Sequence, residues 1–517
     1  MTVKTERPET MRKVLEMLEK KQKGNRVFRY MEDSRIIEIS AEQFFRDIRR
    51  TAELLETYNL AGRHIGIMGR NSYGWLVSLC AVFWTESAAV LLDREISSDE
   101  LNGRLTKTDV SGIIYDSEVT DTVRKAGLCG EISRIPMEKQ TADEEENNDG
   151  LSFYVSSRHI SEIQKGMDKR KTGHSGDSLA CIFFTSGTTG GSKAVMMSEQ
   201  GLTAGICHRI NDRGFHSLLA VLPFHHLSGF SSALNALYLG AEVCIASDIK
   251  YFYRYLEYMK PDYVFVVPSM LGMLARKLKN GGPNGRNLGW DLHLINCGGA
   301  EFRPEFLQML LDRDITVLQG YGASEAGAIG FLWEMTPDRP DTIGKPPAEM
   351  EIKIIDGELY VKSDALMTGY YGEKEETEKV LRDGWYATGD LCRMDEDGFL
   401  YITGRRKNLI ILSNGENVSP EEIERKLYQY NDISEVMVCA EGELITAQIY
   451  PAYPEESTPQ ERERIQEKIR EEIGHYNRNQ PVYRQIMKLR FLEEPVGKTS
   501  SGKILRHRSQ EEQKNEC

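Results

Sequence analysis

The chain has 517 residues, of which 79 are acidic and 65 basic, giving a net charge of −14; 40 % are hydrophobic and 28 % charged. Such a balance suits a globular protein of two to four lobes, at roughly 100–200 residues each, with a large buried core. It excludes a helical membrane span, because no apolar run approaches the ~20 residues a bilayer requires, and it argues against nucleic-acid binding, because no dense basic stripe is present.

The chain opens on MTVKTERPETMRKVLEMLEKKQK, which is charged and has no signal-peptide core, so a cytoplasmic location is expected. From residue 41 apolar strands alternate with amphipathic helices. Residues 41–58 carry Phe44, Phe45, Ile48, Ala52 and Leu55 at helical spacing. A strand is expected at 64–68, a helix at 73–84, a strand at 88–92, a helix at 97–105 and a strand at 112–115. Strands of this kind between helices imply parallel sheets covered on both faces. Residues 143–150 (DEEENNDG) read as a solvated acidic loop. Strands are then expected at 179–184, 218–222, 243–245, 263–267, 292–296 and 315–318. Helices are expected at 231–239, 251–259, 270–278 and 304–311. Short strands and turns begin at 350–361, and a boundary falls near Gly404. Beyond it lie a helix at 420–428, strands at 433–440 and 443–450, a helix at 459–475 and a strand at 488–492.

The nine cysteines are odd in number, scattered and without a C-x-x-C pair, which reads as reduced buried thiols and no zinc site. An acidic chain that binds an anion needs local devices to do so. The strongest candidate is Thr185-Ser186-Gly187-Thr188-Thr189-Gly190-Gly191-Ser192-Lys193, between the apolar segments CIFF and AVMM. Its hydroxyls, flexible glycines and lysine suit a phosphate. It is no Walker A loop, since Ser192 stands at the second glycine and a strand follows. Near the C-terminus, Gly497 to Lys503 spells G-x-x-x-x-G-K, but Ile504 replaces the magnesium-binding hydroxyl, so this too fails as Walker A and leaves a loop presenting Lys503. Gln319-Gly320-Tyr321-Gly322-Ala323-Ser324-Glu325 places a carboxylate beside hydroxyls just past a strand, which suits magnesium or a plain polar turn. Asp390, in a Gly-Asp corner, could accept ribose hydroxyls, whereas Asp397-Gly398 reads as a hairpin turn.

Taken in order, these segments resemble the adenylate-forming superfamily, whose motifs are a Ser/Thr/Gly loop with a lysine, Tyr-Gly-x-Thr-Glu, Tyr-x-Thr-Gly-Asp, Gly-Arg-x-(Lys/Asp) and Pro-Lys-Thr-x-Ser-Gly-Lys. All five occur between Thr185 and Lys503, and residues 410–424 (IILSNGENVSPEEIE) look most like acyl-CoA synthetases of the fatty-acid type. The resemblance implies an α/β fold. A large N-terminal lobe of stacked αβ subdomains with a small β-barrel-like part (residues 1–403) would join, through a hinge at 404–408, a small mobile α+β C-terminal domain (409–517).

By the same resemblance Thr185, Ser186, Gly187, Thr188, Thr189 and Lys193 hold ATP phosphates. Gly299, Ala300 and Glu301 lie beside the adenine, with Tyr321 and Gly322. Ser324 touches the α-phosphate and Glu325 holds Mg2+. Asp390 and Arg405 clamp the ribose, Lys407 is the hinge residue and Gly415 lines the coenzyme A tunnel. Lys503 bridges carboxylate and α-phosphate. Ser192, Ala323-Ser324 and Gly497 depart from the common pattern without removing a charged group.

Pro223-Phe224-His225-His226-Leu227-Ser228-Gly229 resembles the acyl-site segment, with His226 at its histidine and no aspartate to pair a substrate ammonium, which disfavours an α-amino acid. Gly322 leaves the pocket open for a longer aliphatic or aromatic acid, lined by Ala300 and by Phe230, Val267 and Met270 unless these are core. The implied function is ATP- and Mg2+-dependent activation of a small-molecule carboxylic acid and transfer to coenzyme A. The rivals are loading of an acyl carrier protein and an inactive ligand-binding relative. The latter predicts loss of Lys503, Glu325 or Asp390, and all three are present.

Overall fold

The computed structural model describes residues 7–126, 132–135, 151–155, 176–185, 192–208, 213–298, 304–328, 330–413, 416–442, 444–454, 456–497, 504 and 506. The acidic loop at 143–150 lies outside them, as do Ser186, Gly187, Thr188, Thr189, Gly299, Ala300, Glu301, Gly415 and Lys503.

Two eight-stranded sheets carry most of the N-terminal part. One runs, from edge to edge, Gly369–Tyr370, Lys193–Ser198, Leu179–Thr185, Ala88–Leu92, His64–Met68, Gly112–Tyr115, Leu151–Val155 and Ile132–Ile135. Its middle four strands are parallel, and the flanking strands are antiparallel. The other runs Phe331–Glu334, Thr316–Tyr321, Leu294–Gly298, Tyr263–Val266, Ser217–Ala220, Glu242–Ile245, Arg26–Glu32 and Arg35–Ser40, parallel except at its two edges. The expected parallel sheets are therefore mixed sheets with antiparallel edges.

The helix Tyr73–Trp84 is apolar on nearly every side because it is buried on nearly every side, from Tyr73 to Phe83 with only Gly74 less covered. Its N-cap is Ser72, whose hydroxyl accepts from the Trp75 N–H at 3.1 Å. The amphipathic helix Ala41–Thr57 presents Phe44, Phe45, Ile48, Ala52 and Leu55 to the same core. Neither the helix Met11–Lys21 nor the hairpin Arg26–Glu32 with Arg35–Ser40 was expected from sequence. Most hairpin residues are only partly covered, so no apolar run marks them.

A five-stranded antiparallel sheet follows, ordered Glu351–Ile355, Glu358–Lys362, Trp385–Met394 and Leu381–Arg382, with Leu400–Arg405 also paired to Trp385–Met394. The Asp397-Gly398 turn joins the last two long strands, with Gly398 at φ +82°. A separate core begins at Ile410. It is built by the helices Pro420–Leu427 and Pro459–Arg478 on a three-stranded sheet of Ile433–Glu441, Leu444–Pro451 and Lys488–Phe491. The architecture is α/β, with a large multi-sheet N-terminal part and a smaller α+β C-terminal part. No described helix is long and apolar enough to cross a membrane.

Candidate active site

Of the expected site residues that are described, Thr185, Lys193, Tyr321, Glu325, Asp390 and Arg405 lie where strands of the two large sheets and the antiparallel sheet end or turn. Thr185 closes the strand Leu179–Thr185, and Lys193 opens its antiparallel neighbour directly opposite, so the intervening loop joins a hairpin. The buried hydroxyl of Ser192 has no hydrogen-bond partner among the described residues, which is a cost unless a ligand or water meets it. Lys193 Nζ lies 4.6 Å from the centre of the Tyr370 ring and donates to Glu376 Oε2 at 2.8 Å. That lysine, followed by Lys379, holds the exposed Glu376 carboxyl down to about 2.

Tyr370 continues the same ladder: Gly369 and Tyr370 pair with Met196 and Val195, and the Tyr371 N–H donates to the Ala194 carbonyl at 2.8 Å. The Tyr370 hydroxyl donates to Glu325 Oε1 at 3.2 Å. Burial first, then the Glu325 charge, push this phenol far above its usual range. Glu325 sits in the short turn Ser324–Ala326, and its carbonyl accepts from the Met367 N–H at 2.9 Å. Gly327 explains how that turn fits. Its φ is +80°, and a Cβ there would lie 1.8 Å from the Ala365 carbonyl oxygen.

Tyr321 ends the strand Thr316–Tyr321 instead of following it, and its hydroxyl donates to Asp390 Oδ2 at 2.6 Å. Arg405 Nε meets Asp390 Oδ1 at 2.8 Å, and the two residues are cross-strand partners. Burial, then the Asp390 charge, raise the Tyr321 phenol well above its usual range. For Arg405, burial opposes the charge, and Asp390 with its neighbours more than offsets it. Asp390 itself is buried. It does not occupy a Gly-Asp corner, as its sequence context suggested. It lies inside the continuous strand Trp385–Met394, where Gly389 has φ +71° and residues 388–390 fall at a register shift against Glu358–Lys362, between the pairs Tyr360–Ala387 and Glu358–Leu391. The irregularity is a bulge, and bulges re-aim side chains. Thr388 supports it, donating to the Leu359 carbonyl at 2.8 Å and accepting from the Asp390 N–H at 3.1 Å. Buried Tyr386 feels the charges of both Glu325 and Asp390, so it lies near both halves of the site.

His226 is the N-cap of the helix Leu227–Leu239, four residues before the expected start at 231. Pro-x-x-His-x-x-Gly has a steric reason here: a Cβ on Gly229 would lie 2.1 Å from the Pro223 carbonyl oxygen. Asn71 clamps the segment at two points. Its amide donates to the Leu222 carbonyl and accepts from the Phe224 N–H, both at 2.9 Å. His225 faces Asp93 at 3.6 Å and packs on His226 with ring centres 4.2 Å apart. Burial, then His226, lower the His225 imidazole to about 3. Phe230 is fully buried in the main core, Met270 is buried in the second, and Val267 is partly buried against the second. At Gly322 an added Cβ would meet, among the described residues, only Gly330 Cα, at 3.8 Å.

Around Lys407 the contacts change sides. Arg405 pairs with Asp390, and Arg406 pairs with buried Glu358, which also accepts from the Gly389 N–H at 3.0 Å. Asn408 instead donates to Glu421 of the C-terminal part at 2.6 Å. Arg506, three residues past Lys503, makes a two-pronged ion pair with buried Glu424 at 2.7 and 2.8 Å. Sequence reasoning missed Tyr370, Glu376, Asn71 and Glu358, each of which acts across a long chain separation with no local signal to mark it; it gave no role to Tyr386, although that residue opens the Tyr-x-Thr-Gly-Asp motif.

Among the described residues, no group of three or more His, Cys, Asp or Glu side chains could hold a metal ion. The single hard carboxylate of Glu325, oriented by Tyr370, fits a Mg2+ ion that takes most of its oxygens from a phosphate chain.

The profile of the AMP-binding enzyme family matches residues 18–371, more than half the chain, and that of the AMP-binding enzyme C-terminal domain matches residues 407–516. The peroxisomal OPC-8:0-CoA ligase 1 of Arabidopsis thaliana is 29 % identical over 360 residues, 64 % of this chain and 63 % of the relative. The 2-succinylbenzoate–CoA ligase of Geobacillus sp. (strain WCH70) is 26 % identical over 477 residues, 89 % of each chain. The o-succinylbenzoate CoA synthetase of Bacillus subtilis, solved with its acyl-adenylate intermediate, superposes with a TM-score of 0.72 at 21 % identity, covering 96 % of this chain and 97 % of that one.

Proposed function

The chain belongs to the AMP-binding enzyme family, and on that premise we propose that it activates a carboxylic acid with ATP and transfers the acyl group to the thiol of coenzyme A. A carboxylate oxygen attacks the α-phosphorus, the bond to the bridging oxygen breaks, and pyrophosphate leaves with that electron pair. The thiol sulfur then attacks the acyl carbon of the acyl-adenylate. AMP departs with the carbon–oxygen electrons, and the thiol proton passes to solvent.

The observation that carries this reading is the presence of two polar centres, each assembled from residues far apart in the chain. One holds Lys193 and Glu325, and the other holds Tyr321, Asp390 and Arg405. The first has the charges for a triphosphate and the second has acceptors for a ribose. Lys193 and the loop through Thr185, Ser186, Gly187, Thr188 and Thr189 take the β- and γ-phosphates. A carboxylate accepts at about four sites, and Tyr321 and Arg405 engage one on each Asp390 oxygen, which leaves capacity for two hydroxyls. Gly299, Ala300 and Glu301 flank the base beside Tyr321, and Ser324 meets the α-phosphate. Bound Mg2+ would neutralise phosphate charge, and Glu325 is the residue that would hold it. Because both reactants are anions, catalysis is positioning and charge neutralisation, and Lys503 supplies the positive group between them. Lys407 is the pivot that lets the C-terminal part exchange Lys503 for the thiol, which enters past Gly415.

The two relatives are named for OPC-8:0 and for 2-succinylbenzoate. With the space at Gly322 and the His226 segment, they support a longer aliphatic or aromatic acid as substrate. A panel of acids, scored for pyrophosphate release with and without coenzyme A, tests this. A productive acid gives AMP and a thioester with coenzyme A present. Release that ignores the acid, or products that include ADP, would contradict it.

A further inference from the structure

We infer that Tyr370 is a positioning residue that keeps the phosphate-binding lysine and the metal-binding carboxylate apart and ready. The inference rests on the roles proposed for Lys193 and Glu325. A lysine and a glutamate that both serve one Mg-triphosphate must lie close together, and a close pair tends to collapse into a direct ion pair. Tyr370 occupies the space between them. Its ring takes the ammonium at 4.6 Å and its hydroxyl takes the carboxylate at 3.2 Å.

Both contacts are of a kind that yields to a ligand. A cation on a ring is held less firmly than one in a buried direct ion pair. A neutral phenol donating to a carboxylate orients it without cancelling its charge. The second partner of Lys193, Glu376, has a side chain 38 % exposed, so that pair is weak as well. The position of Tyr370 is fixed from both directions. Its backbone is laddered to the strand that begins at Lys193, and its N–H donates to Thr377 Oγ1 at 2.9 Å. The ring itself is 5 % exposed. Lys193 and Glu325 are therefore set at a distance by a rigid, buried spacer instead of by their own flexible stems.

Two variants separate the ring from the hydroxyl. Tyr370→Phe keeps the ring under Lys193 and removes the donor to Glu325. Tyr370→Leu removes both. Binding of ATP without metal, and of Mn2+ to the ATP-loaded protein, is followed by calorimetry and Mn2+ resonance with no acid present, so no turnover occurs. Tyr370→Phe is expected to leave metal-free ATP affinity within twofold of wild type and to weaken Mn2+ binding about tenfold or more, as loss of an outer-shell partner does. Tyr370→Leu is expected to weaken both. Unchanged Mn2+ binding in a folded Tyr370→Phe protein would overturn the inference, as would equal weakening of ATP and Mn2+ in both variants. A wild-type protein that binds neither ATP nor Mn2+ would overturn the proposed function itself.

Discussion

Gly404→Ala probes the junction between the two parts of the chain. A Cβ at position 404 would lie 2.2 Å from Ser419 Oγ and 3.0 Å from Ser419 Cβ. Ser419 caps the helix Pro420–Leu427 and donates to the Thr403 carbonyl at 2.7 Å, while Arg425 of that helix donates to the Ile402 carbonyl at 2.7 Å. Restoring ordinary contact requires the helix start to withdraw by about 1 Å, which disrupts both bonds. At 0.5–1.5 kcal/mol each, their loss disfavours this arrangement by about 2 kcal/mol, roughly thirtyfold in population. If the two half-reactions use different arrangements, they respond differently. Acid-dependent pyrophosphate release and thiol attack on supplied acyl-adenylate, assayed separately, should change in ratio by about tenfold or more. Ser419→Gly removes the nearest clashing atoms and keeps an acceptable cap but gives up the Thr403 bond, so the double variant should recover part of the lost half-reaction, through the restored Arg425 bond. Equal loss in both half-reactions, or no rescue by Ser419→Gly, would refute the hinge reasoning.

Asp390→Ala strips Tyr321 and Arg405 of their shared acceptor, and ATP affinity should fall about ten- to hundredfold with the acid KM little changed. Equilibrium ATP binding checks this, and an unaltered Kd would argue against a ribose clamp. Lys193→Met should weaken ATP and pyrophosphate binding about tenfold or more and spare AMP, because the lysine serves the far phosphates; a parallel loss of AMP binding would count against that role. The thiols of Cys80, Cys181, Cys244 and Cys297 are buried, and burial raises each, so they stay protonated at neutral pH. Thiol reagents at pH 7–8 should not modify these four in the folded protein, and labelling by peptide mass mapping would expose an error.

Much of the α/β alternation was legible because buried parallel strands are short continuous apolar runs. The strands His64–Met68, Ala88–Leu92 and Gly112–Tyr115 stand where the sequence reading put them. The hairpin at residues 26–40 was not, since these incompletely covered strands at one side of the sheet mix Arg and Glu with Val, Phe and Ile. Two helix starts slipped where the cap makes no side-chain bond. His226 caps one helix without a side-chain bond, and Pro268 opens another two residues before the expected start. At the site, motifs identified residues but not their partners. Lys193 and Glu376 are 183 positions apart, and Tyr321 and Asp390 are 69 apart, so only the fold joins them. The Gly389-Asp390 pair suggests a corner because Gly-Asp is turn chemistry, whereas a bulge uses the same glycine inside a strand.

The most direct measurement follows the acid's oxygen. With a carboxylate labelled in both oxygens by 18O, attack on the α-phosphorus followed by thiol attack at carbon leaves one labelled oxygen on AMP. The proposed reaction predicts one 18O in the phosphate of AMP for each thioester formed. Label in inorganic phosphate, or AMP without label, would contradict it.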